Sequence, residues 1–202
     1  MIKTITQNWL KENGACPEAA NDWHNEEDHG TIETLNRLIN KNPDWANWLI
    51  VRVMTRKQYI TYAVFAAEQV IDIYEKKYPE DKRPRQAIQA AKLCLKNNNV
   101  KNINAAAYAA GAAYEAAYAA EAAFAAAYAA AYAAGAAYAA AYAAAYEAAY
   151  AAAYAAGAAY EAAFAAGAAY EAAYAAAYEA TDKKKMQIKI LKYGMKLLKE
   201  NN

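Results

Sequence analysis

The stretch from residue 105 to residue 180 contains no histidine, cysteine, serine, lysine, arginine or asparagine. Apart from two phenylalanines, it consists of alanine, tyrosine, glutamate and glycine alone. Carboxylates and phenols by themselves do not provide the set of nucleophile, base and electrophilic groups that an active site combines. The sequence therefore predicts no catalytic residues in this stretch, which we call the Ala/Tyr tract.

Cysteine and long apolar runs are also scarce. Cys16 and Cys94 are the only two cysteines, and neither belongs to a paired motif, so we expect reduced cytosolic thiols, although a disulfide stays open. No apolar core of signal-peptide length follows Met1, and the uncharged run 122–146 is mostly alanine and tyrosine, which do not favour the centre of a bilayer. We expect a cytoplasmic protein without a membrane span or a cofactor.

The formal net charge of +1 hides a strong segregation of charge. Residues 1–104 carry +2, the Ala/Tyr tract carries −6 and residues 181–202 carry +5. The lysines after the tract are typical of the C-terminal half of a helix, where the helix dipole favours cations. A nucleic-acid partner is not predicted, because no arginine accompanies these lysines and no aromatic groove is evident.

Aromatic rings recur along the Ala/Tyr tract at intervals of four or six residues. A glycine or Glu121 divides each interval of six, which gives the stripe a mean period of about 3.5 residues. This period and the high helix propensity of alanine predict an all-α chain in which a small N-terminal helical bundle precedes one very long helix. The alternative is a tract that folds back as two or three packed helices.

The glycines of the stripe are interpreted as positions inside a helix, where they leave holes that a ring from a facing helix could enter. These helix-packing holes are Gly111, Gly135, Gly157 and Gly167. Because a row of exposed rings would form a large apolar patch, we expect a homo-oligomer or folding back onto the N-terminal part. The first rings, Tyr108, Tyr114 and Tyr118, are also candidates for stacking a planar ligand.

Two domains are predicted, with residues 1–101 forming the helical domain and residues 102–202 the long helix with its basic end. Within the first domain, helices are predicted over residues 4–11, 31–40, 44–54, 56–78 and 83–97. Thr31 and Asp44 are the expected caps of the second and third of these helices, and Asn102 or Asn104 the cap of the tract. Pro84 occupies a first-turn position.

Few residues outside the tract are candidates for chemistry. His24 and His29 flank three carboxylates, but their spacing does not match a two-histidine zinc motif, so a solvated acidic loop and no metal site are expected. Trp45 and Trp48 are three residues apart on one predicted helix, which is typical of a core pair and also compatible with a ligand cage.

Arg83 and Arg85 stand at the start of a predicted helix. There they could bind a phosphate or an acidic partner, although a capped, solvated turn is the simpler interpretation.

Three segments carry a resemblance to a known family: WANWLIVRVM (45–54), YAVFAAEQVI (62–71) and DKRPRQAIQAAK (81–92), followed by an alanine-rich region. Over about residues 8–104 the chain resembles the immunity protein family found in bacterial and phage genomes. The resemblance implies an all-α binding protein without catalytic residues that protects its host against toxins.

Three hypotheses follow for function. The first is a non-enzymatic, immunity-type binding protein that neutralises a protein toxin, with the tract serving self-assembly or binding. The second is a phage counter-defence protein that sequesters a nucleotide-like signalling molecule between rings and the two arginines, Arg83 and Arg85. The third is a structural or ice-binding helix, for which the absence of threonine from the tract is unfavourable.

Overall fold

The computed structural model describes residues 4–23, 29–97, 99, 101, 102, 104–106, 108, 135, 167, 168 and 183–200. Within these residues the chain is mostly helical, which confirms the predicted all-α class. One very long helix through the Ala/Tyr tract is not confirmed, because most of the tract lies outside the described residues.

The chain begins with two short helices framed by a minimal antiparallel strand pair. The elements are β1 (Thr4–Ile5), α1 (Gln7–Glu12), α2 (Pro17–Asp22) and β2 (His29–Gly30). Thr6 caps α1, because its Oγ1 accepts a hydrogen bond from the Trp9 N–H at 3.1 Å. The helix predicted over residues 4–11 is therefore wrong at its start, where residues 4 and 5 pair with β2.

Five longer helices follow. They are α3 (Thr31–Lys41), α4 (Pro43–Val53), α5 (Arg56–Glu68), α6 (Ile71–Lys77) and α7 (Arg83–Lys96). The expected caps of the first two are corrected: Gly30 precedes α3, and Asn42 caps α4 by accepting the Trp45 N–H on its Oδ1 at 3.1 Å. An asparagine cap followed by proline is a favourable helix start, because the proline has no N–H to satisfy.

The single helix predicted over residues 56–78 is divided at Gln69 and Val70. Val70 leaves helical geometry with φ of −131° and ψ of −6°. Val70 and Ile71 are then both buried, although consecutive residues of one regular helix point in different directions. Helix α7, with Pro84 in its first turn, confirms the last predicted helix of this part.

Helix α8 (Lys183–Glu200) packs against α3, α4 and α5. Four of its side chains join the core that residues 5–94 form: Ile190, Leu191, Met195 and Leu198. Gln58 Nε2 donates a hydrogen bond to the Leu197 carbonyl oxygen at 2.7 Å, and the Tyr193 ring stacks on Phe65 at 3.8 Å between centroids. The basic segment is thus part of the same core as the first hundred residues.

The closest approach in this core is at Gly194 of α8. A Cβ atom there would lie 2.7 Å from Ile50 Cδ1 of α4 and 2.8 Å from Tyr62 Cε2 of α5. Tyr62 cannot turn aside freely, because it is fully buried and its hydroxyl donates to Asn47 Oδ1 at 2.8 Å. The glycine therefore allows three helices to meet at van der Waals contact.

A few described residues of the tract and its start can be placed. Asn99 Oδ1 accepts the Asn102 N–H at 2.9 Å, which gives Asn99 the cap position that was expected at residue 102 or 104. Ala106 and Ala168 belong to the hydrophobic core and are fully buried. Among the described residues, no helix combines the length and apolar character needed to cross a membrane.

Candidate functional site

A cavity of about 440 Å³ lies between the α1–α2 pair and helices α3 and α4. Its walls are mostly apolar, and the indoles of Trp23, Trp45 and Trp48 form a large part of them. Leu38 and Leu49 complete the side contributed by α3 and α4. We call this the tryptophan cavity; its volume and apolar lining are typical of small-molecule sites.

Three of the four tryptophans of the chain line this cavity, and the fourth, Trp9, packs against one of them. Trp45 and Trp48 are one turn apart on α4, so both face the same side of the helix. Trp9 of α1 packs edge-on against Trp48 with centroids 6.2 Å apart, and the Arg52 guanidinium lies 4.0 Å from the Trp48 ring centroid. These contacts fix the Trp48 ring in place, and burial lowers the pKa of Arg52.

Trp23, directly after α2, is the most buried of the three lining indoles, with 9% of its surface accessible. Its Nε1–H has no hydrogen-bond acceptor in the part of the chain that the structure describes. The ring contacts His29 edge-on, with centroids 6.1 Å apart. An unpaired buried donor costs about 1–3 kcal/mol of stability.

The charged groups at the cavity rim are paired with protein groups. Lys41 Nζ lies 2.8 Å from Asp22 Oδ2, which links the end of α3 to the end of α2. Asp44 Oδ1 accepts a hydrogen bond from Gln187 Nε2 of α8 at 2.7 Å. Arg37 Nη2 lies 3.2 Å from Glu33 Oε1. The rim therefore offers balanced, partnered charges rather than an excess of one sign.

Both cysteines are free thiols. Cys16 is exposed and lines the cavity, and its Sγ accepts a hydrogen bond from the Ala19 N–H at 3.5 Å. Cys94 is buried elsewhere, and burial raises the pKa of its thiol. The cavity thus contains one accessible thiol that a bound molecule would shield.

Arg83 is bound to a carboxylate rather than presented to a ligand. Its guanidinium forms a bidentate pair with Asp81, with Nη2 to Oδ2 at 2.6 Å and Nε to Oδ1 at 3.0 Å. Asp81 Oδ2 also accepts the Tyr74 hydroxyl at 2.7 Å. The hydrogen bonds from Arg83 hold the pKa of Asp81 well below its usual range, whereas burial and the Asp81 carboxylate raise the pKa of Tyr74.

Arg85 is held in the same way on the next carboxylates. Its Nε and Nη2 donate to the two oxygens of Glu75 at 2.8 and 2.5 Å, and Nη2 also reaches Asp72 at 3.1 Å. The hydrogen bond from Arg85 lowers the pKa of Glu75. Both arginines therefore fasten α7 to the region of α6, and the anion-binding role predicted for them would require these pairs to open.

The other predicted site residues are placed as follows. His29 lies in β2, with Nδ1 3.3 Å from Glu33 Oε1, while residues 24–28 lie outside the described residues. In the described ranges no group of three metal-ligating side chains is found.

Tyr108 is helical and 84% exposed, Gly135 is helical and buried, and Gly167 is helical and half-buried. Four further candidates lie outside the described residues: Tyr114, Tyr118, Gly111 and Gly157.

No protein-family model matches the chain, and no curated protein and no solved structure is significantly similar to it. The resemblance to the immunity protein family is therefore carried by the sequence segments alone.

Proposed function

We propose that the protein is a non-enzymatic binding protein whose binding site is the tryptophan cavity. The observation that carries this proposal is an open, mostly apolar cavity of about 440 Å³ whose lining includes a few polar side chains, among them Thr34 and Asp44. Small-molecule sites combine an apolar concave wall with a few polar groups that fix orientation. Both parts are present between α1–α2 and α3–α4.

The chemistry of the lining residues supports capture without conversion of the ligand. Asp22 and Lys41 pair with each other at the rim, and Asp44 accepts a hydrogen bond from α8. The Cys16 sulfur accepts a backbone hydrogen bond, and no general base is hydrogen-bonded to it among the described residues. Since nucleophilic catalysis needs a nucleophile and a base within hydrogen-bond reach, the described lining residues favour sequestration.

The test is a thermal-shift screen of small aromatic compounds and nucleotides, because a ligand that binds only the folded state raises the melting temperature. A true cavity ligand also slows alkylation of Cys16, which lines the site. We expect Trp45→Ala to weaken such binding at least about tenfold by removing one wall.

Phe65→Leu is the matched control, since this ring contacts α8 and lies outside the cavity lining. It changes stability while leaving the dissociation constant of a cavity ligand unchanged. A compound that shifts the melting temperature equally in Trp45→Ala and wild type binds elsewhere, and a screen without any Cys16-protecting compound would contradict the proposal.

A second candidate is neutralisation of a partner protein, as the immunity-type hypothesis implies. It is favoured by a row of exposed lysines on α8, at spacings of three and four that place them on one helix face: Lys185, Lys189, Lys192, Lys196 and Lys199. The opposite face is anchored in the core, so the row has a fixed geometry that suits an acidic protein surface.

Two variants distinguish ligand binding in the tryptophan cavity from neutralisation of a partner protein. The double variant K189E/K192E should abolish co-purification of a stoichiometric partner from a toxin-bearing host, and Trp45→Ala should retain that partner. The reverse pattern would assign recognition to the tryptophan cavity.

Self-assembly through the Ala/Tyr tract stays a prediction. Solution mass from light scattering checks it, with an oligomer expected and a concentration-independent monomer contradicting it.

A further inference from the structure

We infer that the lysine row of α8 binds an acidic helix whose carboxylates follow one helix face. The row consists of five exposed side chains: Lys185, Lys189, Lys192, Lys196 and Lys199. This inference rests on the second candidate of the proposed function, neutralisation of a partner protein, and names the chemistry and the shape of that partner.

The lysine row has a straight and fixed geometry. Its residues recur at intervals of four and three, so they lie on one face of α8, while the opposite face is buried in the core. Near one end of α8, Gln187 Nε2 donates to Asp44 Oδ1 of α4 at 2.7 Å. Near the other end, the Leu197 carbonyl oxygen accepts a hydrogen bond from Gln58 Nε2 of α5 at 2.7 Å. The backbone that carries the lysines is therefore in place before a partner arrives.

The centre of the row carries charge that the described part of the chain does not neutralise. Lys196 Nζ lies 3.5 Å from Glu200 Oε1, whereas Lys189 and Lys192 form no ion pair with the described residues. A row of one sign attracts a surface of the opposite sign and repels one of its own sign. The partner of the row is therefore expected to be acidic.

The spacing of the lysines favours a helix as the acidic element. From Lys185 to Lys199 four steps cover 14 residues, so successive lysines are about 5.3 Å apart along the helix axis. Glutamates at the same spacing on a partner helix recur at that distance, and each lysine can then meet one carboxylate. Side chains on one side of a strand recur about 6.8 Å apart, which would bring a strand about 6 Å out of register over the row.

Two other classes of acidic partner lack supporting features on α8. Helices that bind membrane surfaces insert apolar side chains, but the large exposed apolar side chains of the described residues, Leu93 and Tyr108, do not lie on α8. Nucleic-acid sites commonly add arginine or exposed rings to lysine. Helix α8 contains no arginine, and its one ring, Tyr193, stacks on Phe65.

Two helical, alanine-rich peptides test the inference. Each has the length of α8 and the same number of glutamates, which recur at the spacing of the lysine row in the first peptide and at every second residue in the second. In a helix the first arrangement gives one strip of carboxylates, whereas the second distributes them around the axis. Fluorescence anisotropy at low ionic strength should show about tenfold tighter binding of the first peptide, weakened by added salt.

The double variant K189E/K192E reverses the charge at the centre of the row and should weaken binding of the first peptide about tenfold or more. The matched control is K76E/K77E, which changes the net charge equally at two exposed lysines of α6. Helix α6 is not one of the three helices against which α8 mainly packs. The control should therefore leave the dissociation constant within about twofold of wild type.

Each outcome supports or overturns the inference. Equal binding of the two peptides, binding of neither, or equal weakening by the two double variants overturns it. If phosphatidylserine vesicles or duplex DNA capture the wild type while neither peptide does, the row serves lipid or nucleic acid instead. The second candidate function fails separately, namely when K189E/K192E retains a stoichiometric protein partner that the wild type binds.

Discussion

Helix α4 has two faces that differ sharply in packing. Towards α8, Ala46 and Ile50 are fully buried, and the Gly194 backbone approaches so closely that one added carbon would clash with Ile50. Towards α1 and α2, Trp45 and Trp48 are only half-buried and line an open cavity. Since one 11-residue helix supports both, the cavity is a local feature and not general looseness of the bundle.

The difference between the two faces of α4 shows on which side the chain lacks close packing contacts. A dense interior gains dispersion energy from every neighbour, whereas the wall of a void loses those contacts. Departures from the best packing are expected at functional sites, which supports assigning the binding role to the cavity side of α4.

The largest effect is expected from a larger side chain on the side of α4 that packs against α8. Gly194→Leu should destabilise the fold by about 3 kcal/mol, because its Cβ alone would lie 2.7 Å from Ile50 Cδ1 and 2.8 Å from a fixed tyrosine ring. Urea denaturation measures the loss. Lys192→Leu adds the same side chain on the exposed face of α8 and should stay within about 0.5 kcal/mol of wild type. Similar stabilities of the two variants would show that the packed side is softer than described.

The second prediction compares one substitution on both sides of α4. Ala46→Leu, at a fully buried position, should cost about 2 kcal/mol through overpacking. Ala19→Leu places the same atoms at the cavity wall, where there is room, and should change the free energy of unfolding by no more than about 0.5 kcal/mol. It should also block ligand binding by occupying the space. Equal destabilisation by the two variants would contradict the contrast between the faces.

A third prediction compares the Asp81–Arg83 pair at the start of α7 with a charge pair at the cavity rim. Hydrogen bonds from Arg83 depress the pKa of Asp81 in the folded state, so its contribution is present above the unfolded pKa of about 3.9 and is lost as pH falls towards the folded value. Asp81→Asn should therefore cost about 1.5 kcal/mol at neutral pH and progressively less below about pH 4.

The control for that prediction is Asp22→Asn at the cavity rim. Its pair with Lys41 is exposed, with 51% and 63% of the side chains accessible, so little stability is expected from it. Thermal melts between acid and neutral pH compare the two variants. A difference between Asp81→Asn and wild type that does not change with pH would show that the Asp81 carboxylate contributes through shape rather than charge.

Local sequence signals predicted a helix well where proline or asparagine alone marks its ends. Pro84 and the asparagines after Lys96 mark both ends of α7, which the structure confirms. The break at Val70 was missed, because Val70 and Ile71 are buried by tertiary packing that propensity does not encode. The cap at Asn42 was missed in favour of Asp44, although asparagine directly before proline is itself a start signal.

The site was predicted only in part. Trp45 and Trp48 were candidates because their spacing of three is local, whereas Trp9 and Trp23 join them through contacts between helices that are distant in sequence. The restriction of all tryptophans to the first 48 residues was the signal that could have grouped them. For Arg83 and Arg85, the carboxylates of Asp81 and Glu75 close by in sequence already indicated pairing.

The location of every tryptophan at the tryptophan cavity or directly beside it has a spectroscopic consequence. Most of the nineteen tyrosines belong to the Ala/Tyr tract, whereas the four indoles report from the α1–α4 end of the bundle alone. Excitation at the red edge of the indole absorption band excites tryptophan and not tyrosine, so the fluorescence then comes from that end of the bundle without added labels. The chain carries its own optical probe at the position where a ligand would bind.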